Sequence, residues 1–230
     1  MKSVWIFGDS YSDIGYDRGN EFTWVKSLHK RYNVRNFSKF GTGPDWSLEL
    51  LHKEILNADK ESLKNVNVIF LISDVFRFNF SFYNETSHQV LYKYIVDRYN
   101  LEKNSIVNEE ISQYKKYKEF CNSHFMYAHY DNFGHISMIK NLGALSIYSK
   151  FFEKILAWPI FYTTDIDIPL TEKFFYVPCP LFNFEKIPPG YGMDSRANHI
   201  SKENHVVMLE ALSNWIDNNK LVDCSKFVRL

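Results

Sequence analysis

A hydroxyl group placed for nucleophilic chemistry stands near the start of the chain. The run Ser3-Val4-Trp5-Ile6-Phe7 is apolar and strand-favouring and passes straight into Gly8-Asp9-Ser10, which predicts a buried first strand ending in a tight turn that carries a serine. In an open α/β sheet, the carboxyl end of a strand borders the crevice where ligands bind, so a nucleophilic serine there is chemically sensible. The same pair of residues has a plainer and commoner use, since Asp and Ser often shape turns or cap helices. A second candidate is the loop Asn36-Phe37-Ser38-Lys39-Phe40-Gly41-Thr42-Gly43-Pro44-Asp45. Its glycines let backbone N–H groups approach a ligand, although most Gly-x-Gly loops between a strand and a helix are merely turns. It lacks the Gly-x-x-x-x-Gly-Lys-Ser/Thr spacing of a phosphate loop. His124, His129 and His135, with Asp131, lack the spacing of a metal site and read as surface histidines.

The elements that must position these groups follow from periodicity. Phe22, Val25 and Leu28 share a helical face and predict a helix over residues 20–30, with Asn20 as its cap. Residues 32–37 predict a second strand, and Pro44 with Asp45 opens a helix continued by Leu48, Leu50, Leu51 and Ile55. Val66, Val68, Ile69, Phe70, Leu71 and Ile72 form a nearly continuous apolar run, as expected of a central strand covered on both faces. Residues 158–162 predict a fourth strand and 174–177 a fifth. Between the third and fourth strands, residues from 80 to about 156 are rich in Tyr, Phe, Lys, Asn and Glu, with apolar residues at helical spacing. They read as a helical insertion, part of it over the site, because a single crossover needs far fewer residues. Ser201 caps a last amphipathic helix through Val206, Leu209, Leu212 and Trp215. Alternating strands and helices imply a three-layer α/β sandwich with a mostly parallel sheet.

Composition narrows the classes. The chain has 230 residues, 45% hydrophobic and 17% aromatic, which suits one domain with a substantial core. Lys+Arg and Asp+Glu number 27 each, so net charge offers no general attraction to nucleic acid or an anionic membrane. No apolar run has the length of a signal peptide or a membrane span, and the expectation is a cytoplasmic protein. Cys121, Cys179 and Cys224 leave one over in any pairing and read as free thiols.

Phe7-Gly8-Asp9-Ser10-Tyr11-Ser12-Asp13-Ile14-Gly15 resembles the first block of the SGNH (GDSL) hydrolase family. Gly41, five residues after Asn36, resembles the second block, and His199 in His199-Ile200-Ser201 resembles the fifth. The order is kept across nearly the whole chain. The resemblance implies a flavodoxin-like sandwich and an esterase that needs no metal or cofactor. Ser10 would be its nucleophile and His199 its general base, with the N–H groups of Ser10 and Gly41 forming the oxyanion hole. The third block departs from the family, since Ser73-Asp74 stands where Gly-x-Asn-Asp is usual. Ser73 or Arg77 would then supply the third oxyanion donor, or Asp74 and Arg77 form an ion pair or bind substrate. The acid departs too: Arg196 occupies the usual position three residues before the histidine, and Asp194 is the nearest upstream carboxylate. His205 is the other candidate base, expected on the last helix's surface. The implied substrate is an ester, often an O-acyl group on a carbohydrate. An acyltransferase on the same scaffold and an inactive binding module are the rivals.

Overall fold

The strand-forming runs assemble into one parallel sheet in the computed structural model, which describes residues 1–16, 22–74, 79–80, 85–86, 133–161, 171–181 and 200–228. Its strands are β1 (Ser3–Phe7), β2 (Asn33–Asn36), β3 (Val66–Ile72), β6 (Lys154–Pro159) and β7 (Phe174–Tyr176), in the order β2-β1-β3-β6-β7. A separate antiparallel pair joins β4 (Asn79–Phe80) to β5 (Glu85–Thr86). Every residue of β3 and β6 is buried, which is why these strands, Asn67 and Lys154 apart, are apolar rather than alternating.

The two faces carry different helices. Val4, Ile6, Ile69, Leu71, Leu156 and Trp158 pack with α1 (Trp24–Arg31) and the last helix, here α5 (Lys202–Asn218), through Trp24, Leu28, Met208, Leu212 and Trp215. Trp5, Phe7, Val68, Phe70, Ile155 and Ala157 face the opposite way, onto α2 (Pro44–Asn57), α3 (Lys60–Leu63) and α4 (Phe133–Tyr148). Successive side chains of a strand point to opposite faces, so each strand feeds both cores. The fold is therefore an α/β sandwich of three layers.

Register places the loops. Ser3 lies opposite both Asn33 and Val66, and Ile6 opposite both Asn36 and Ile69, so β1, β2 and β3 emerge almost level at one edge. The chain passes from β1 outward to β2 and returns to β3 on the other side of β1. In open α/β sheets such a reversal, at the carboxyl ends of β1 and β3 here, is the usual place for a ligand.

Several boundaries differ from the sequence reading. The first helix starts at Trp24 rather than at residue 20, because the Thr23 side chain caps it by accepting from the Lys26 N–H at 3.2 Å; Asn20 lies outside the described residues. β6 starts four residues earlier than expected, at Lys154, whose charge hid it. The helical insertion expected at 80–156 therefore ends sooner, and β4 and β5 stand near its start where helix was expected. Within it α4 and a 3-10 turn, Ser149–Phe151, are described; residues 87–132 lie outside. His135 is exposed on α4, while His124, His129 and Asp131 also lie outside the described residues. No helix among the described residues is long and apolar enough to cross a membrane.

Candidate active site

Ser10 rides on a turn stitched together by Asp9. The Asp9 carboxylate accepts from the Tyr11 N–H at 3.1 Å, and its carbonyl accepts from the N–H groups of Ser12 at 3.0 Å and Asp13 at 2.9 Å. Asp9 is fully buried, so the turn-shaping use of this residue type is realised here. Gly8 lets the strand enter the turn: a Cβ there would lie 2.6 Å from Ser12 Oγ and 3.0 Å from Leu71 Cβ. Trp24 Nε1 donates to the Tyr11 carbonyl at 3.1 Å, fixing the turn against α1. Ser10 sits low in this edge, with 7% of its surface exposed, rather than displayed on the surface.

The end of β2 and the loop after it are fastened to that turn by five hydrogen bonds. Lys39 N–H and Thr42 Oγ1 both donate to the Gly8 carbonyl at 3.2 Å. Asn36 Nδ2 donates to the Ser12 carbonyl at 2.7 Å, Ser12 Oγ donates to Ser38 Oγ at 2.7 Å, and the Phe40 N–H donates to Asp13 Oδ2 at 2.8 Å. Gly41 has φ 74°, a left-handed conformation that favours glycine. The loop then enters α2 at Pro44, and Asp45 in its first turn pairs with Lys140 of α4 at 2.8 Å. Beyond β3, Ser73 Oγ donates to the Thr42 carbonyl at 2.8 Å. The loops of three adjacent strands are thus tied together around Ser10.

Of the residues singled out from the sequence, Ser10, Gly41 and Ser73 come together at this edge, with half-buried Asp74 directly after Ser73. Arg77, Asp194, Arg196 and His199 lie outside the described residues. Ile200 is buried, and Ser201 caps α5 by accepting from the Asn204 N–H at 3.2 Å.

No protein-family model matches this chain, and no curated protein matches it.

His205 requires correction. Expected on the surface of the last helix, it is fully buried, and its Nδ1 accepts from the Trp24 N–H at 3.3 Å. That bond satisfies one of the orphan donors in the first turn of α1 and links the starts of two helices. Val206, expected on the apolar stripe, is exposed instead. The partnership of the fastening residues Ser12, Ser38 and Thr42 is not visible in the sequence. Single serines and threonines carry no periodic signal, and their bonds span 26 and 34 residues. Among the described residues no three His, Cys, Asp or Glu side chains converge as metal ligands would.

Proposed function

We propose that this protein is an SGNH-like serine esterase, with the flavodoxin-like form of the three-layer sandwich, acting on an ester such as an O-acyl group of a carbohydrate. The observation that carries the reading is Ser10, held at the carboxyl edge of β1 where the strand order reverses and tied through Gly8 and Thr42 to the loop of Gly41. In this mechanism His199 takes the Ser10 proton as Oγ attacks the acyl carbon. The same proton then goes to the departing alkoxide, leaving an acyl-serine, and water activated by His199 releases the acid. Asp194 orients the imidazole. The N–H groups of Ser10 and Gly41 stabilise the oxyanion. For Ser73 to add a donor, its hydroxyl must turn away from the Thr42 carbonyl; left in place, Ser73 holds the loop. That commitment of Ser73 favours the second reading, a binding module on the same scaffold that has lost acyl transfer.

A fluorophosphonate probe separates the two. The wild-type chain is expected to be labelled covalently at Ser10 and to hydrolyse an activated ester, whereas Ser10→Ala, with an unchanged circular dichroism spectrum, loses both. A folded wild-type protein that neither labels nor turns over ester leaves the binding module as the reading. Equal labelling of wild type and Ser10→Ala removes Ser10 from the site.

A further inference from the structure

Two thiols distant in sequence meet beside Trp158, independently of the acyl chemistry. Cys179 follows β7, and Cys224 opens the 3-10 turn Cys224–Lys226 beyond α5. Both are anchored to the same indole: Trp158 Nε1 donates to the Cys179 carbonyl at 2.8 Å, and the Phe227 ring stands edge-on to Trp158 at 5.7 Å. Phe227 in turn donates its N–H to the Cys224 carbonyl at 3.3 Å. Both cysteines are half-buried and packed on the core shared by α1 and α5, and each thiol lies within the electrostatic reach of the other. The tail around them is fastened as well, since Asn204 exchanges two hydrogen bonds of 2.9 Å with the backbone of Val228. Two neighbouring thiols whose backbones are both fixed around one indole are placed for a cross-link.

We propose that Cys179 and Cys224 form a reversible disulfide, a redox modification site whose oxidant is a low-molecular-weight disulfide. The Cys179 thiolate attacks one sulfur of RS–SR, giving a Cys179–SR mixed disulfide and one RS⁻. Cys224 loses its proton to solvent and attacks Cys179 Sγ, forming the protein disulfide and expelling the second RS⁻. Two protein thiols are oxidised and one external disulfide is reduced to two thiols. Burial, followed by the contact with Cys179, pushes the Cys224 thiol up to about 12. Its thiolate is therefore scarce near neutrality, and the closing step speeds up by about tenfold for each unit of pH in the alkaline range. The cross-link joins the end of β7 to the C-terminal turn and, through Val228 and Asn204, braces the first turn of α5.

The test uses the full chain with Cys121→Ser, incubated in a mixture of reduced and oxidised glutathione at mildly alkaline pH, quenched in acid and mapped without reduction. The expected result is loss of two hydrogens in the intact mass and a single peptide joining Cys179 to Cys224, reversed by dithiothreitol. Adding Cys224→Ser should trap glutathione on Cys179. Should Cys121→Ser not fold, the same map on the wild-type chain reports the joined peptide directly. Separate glutathione adducts without a cross-link, unmodified thiols across the alkaline range, or a cross-link formed only in denaturant would each overturn the proposal.

Discussion

A methyl group added at position 8 has no room, and this ties the conformation of one glycine to the placement of Ser10. The new Cβ would meet Ser12 Oγ at 2.6 Å and Leu71 Cβ at 3.0 Å. Ser12 cannot swing aside without breaking its 2.7 Å bond to Ser38, and Leu71 is fully buried in a central strand. Overpacking of this kind costs about 1–3 kcal/mol. Gly8→Ala is therefore expected to melt several degrees lower than wild type. It should also slow fluorophosphonate labelling by about a hundredfold at temperatures where the variant is folded, because small displacements of a reacting group are costly. Adding Ser12→Ala should restore part of both losses, a coupling that the melting curves and labelling rates of the two single variants and the double variant would measure. A Gly8→Ala protein with wild-type melting and labelling would show that the turn tolerates the shift. Asp9 illustrates the complementary point that a buried acidic residue beside a candidate nucleophile can serve the turn itself, since its Oδ1 accepts from the Tyr11 N–H and its carbonyl from the N–H groups of Ser12 and Asp13.

Helix α5 is fixed at three points along its length. At its start Ser201 caps it, one turn later His205 reaches across to α1, and at its end Asn219 takes the left-handed C-cap conformation with φ 56°. Truncating His205 would leave the buried Trp24 N–H without this acceptor and open a cavity between α1 and α5. The two effects together cost about 2–4 kcal/mol. His205→Ala is thus expected to lower the urea midpoint strongly while its folded fraction keeps ester turnover per labelled serine. His199→Ala should do the reverse, unfolding like wild type and losing turnover by orders of magnitude. Urea titration alongside active-site-normalised rates distinguishes the two histidines. If His205→Ala unfolds like wild type and loses turnover, the base is His205 after all.

On the scale of the whole molecule, the first strand, a central strand and the last helix converge on two lysines at the edge opposite Ser10. Lys154 Nζ donates to the carbonyls of Trp215 at 2.6 Å and Ile216 at 3.2 Å and to the Asn219 side-chain oxygen, and it lies over the Trp215 ring at 4.8 Å. Lys2 Nζ donates to the same Ile216 carbonyl at 2.9 Å. Cations at a helix C-terminus satisfy its orphan carbonyls and oppose its dipole. Burial, and then the charge of Lys2, nevertheless draw the Lys154 ammonium down from 10.5 to about 8, against Glu153 and Asp217. Between these two values the unfolded chain binds more protons than the folded one, so this group adds stability as pH rises. Its contribution is complete above 10.5 and lost as pH falls through about 8, a difference of about 3 kcal/mol. Lys154→Met should abolish that rise, which denaturant unfolding across the interval would read as a flatter dependence of stability on pH than in wild type. Identical pH dependence in the two proteins would mean that Lys154 is not the titrating group.

What the sequence determined by itself was whatever depends on near neighbours along the chain. The apolar run of β3, the passage of β1 into the Gly8-Asp9-Ser10 turn, Pro44 opening α2 and Ser201 capping α5 are local patterns, and the structure keeps them. The placing of Gly41 and Ser73 beside Ser10 depended on register, because only level pairing of β1 with β2 and β3 brings their loops to one edge. The start of β6 and the burial of His205 were likewise tertiary decisions. A lysine in a strand or a histidine on a helix face is read as exposed until a partner cancels the cost of burying it. Here the partners are the last carbonyls of α5, 61 and 62 residues from Lys154, and the Trp24 N–H, 181 residues from His205. Periodicity cannot see across such distances; hydrogen-bond satisfaction in the folded chain can, and it settles which polar residues go inside.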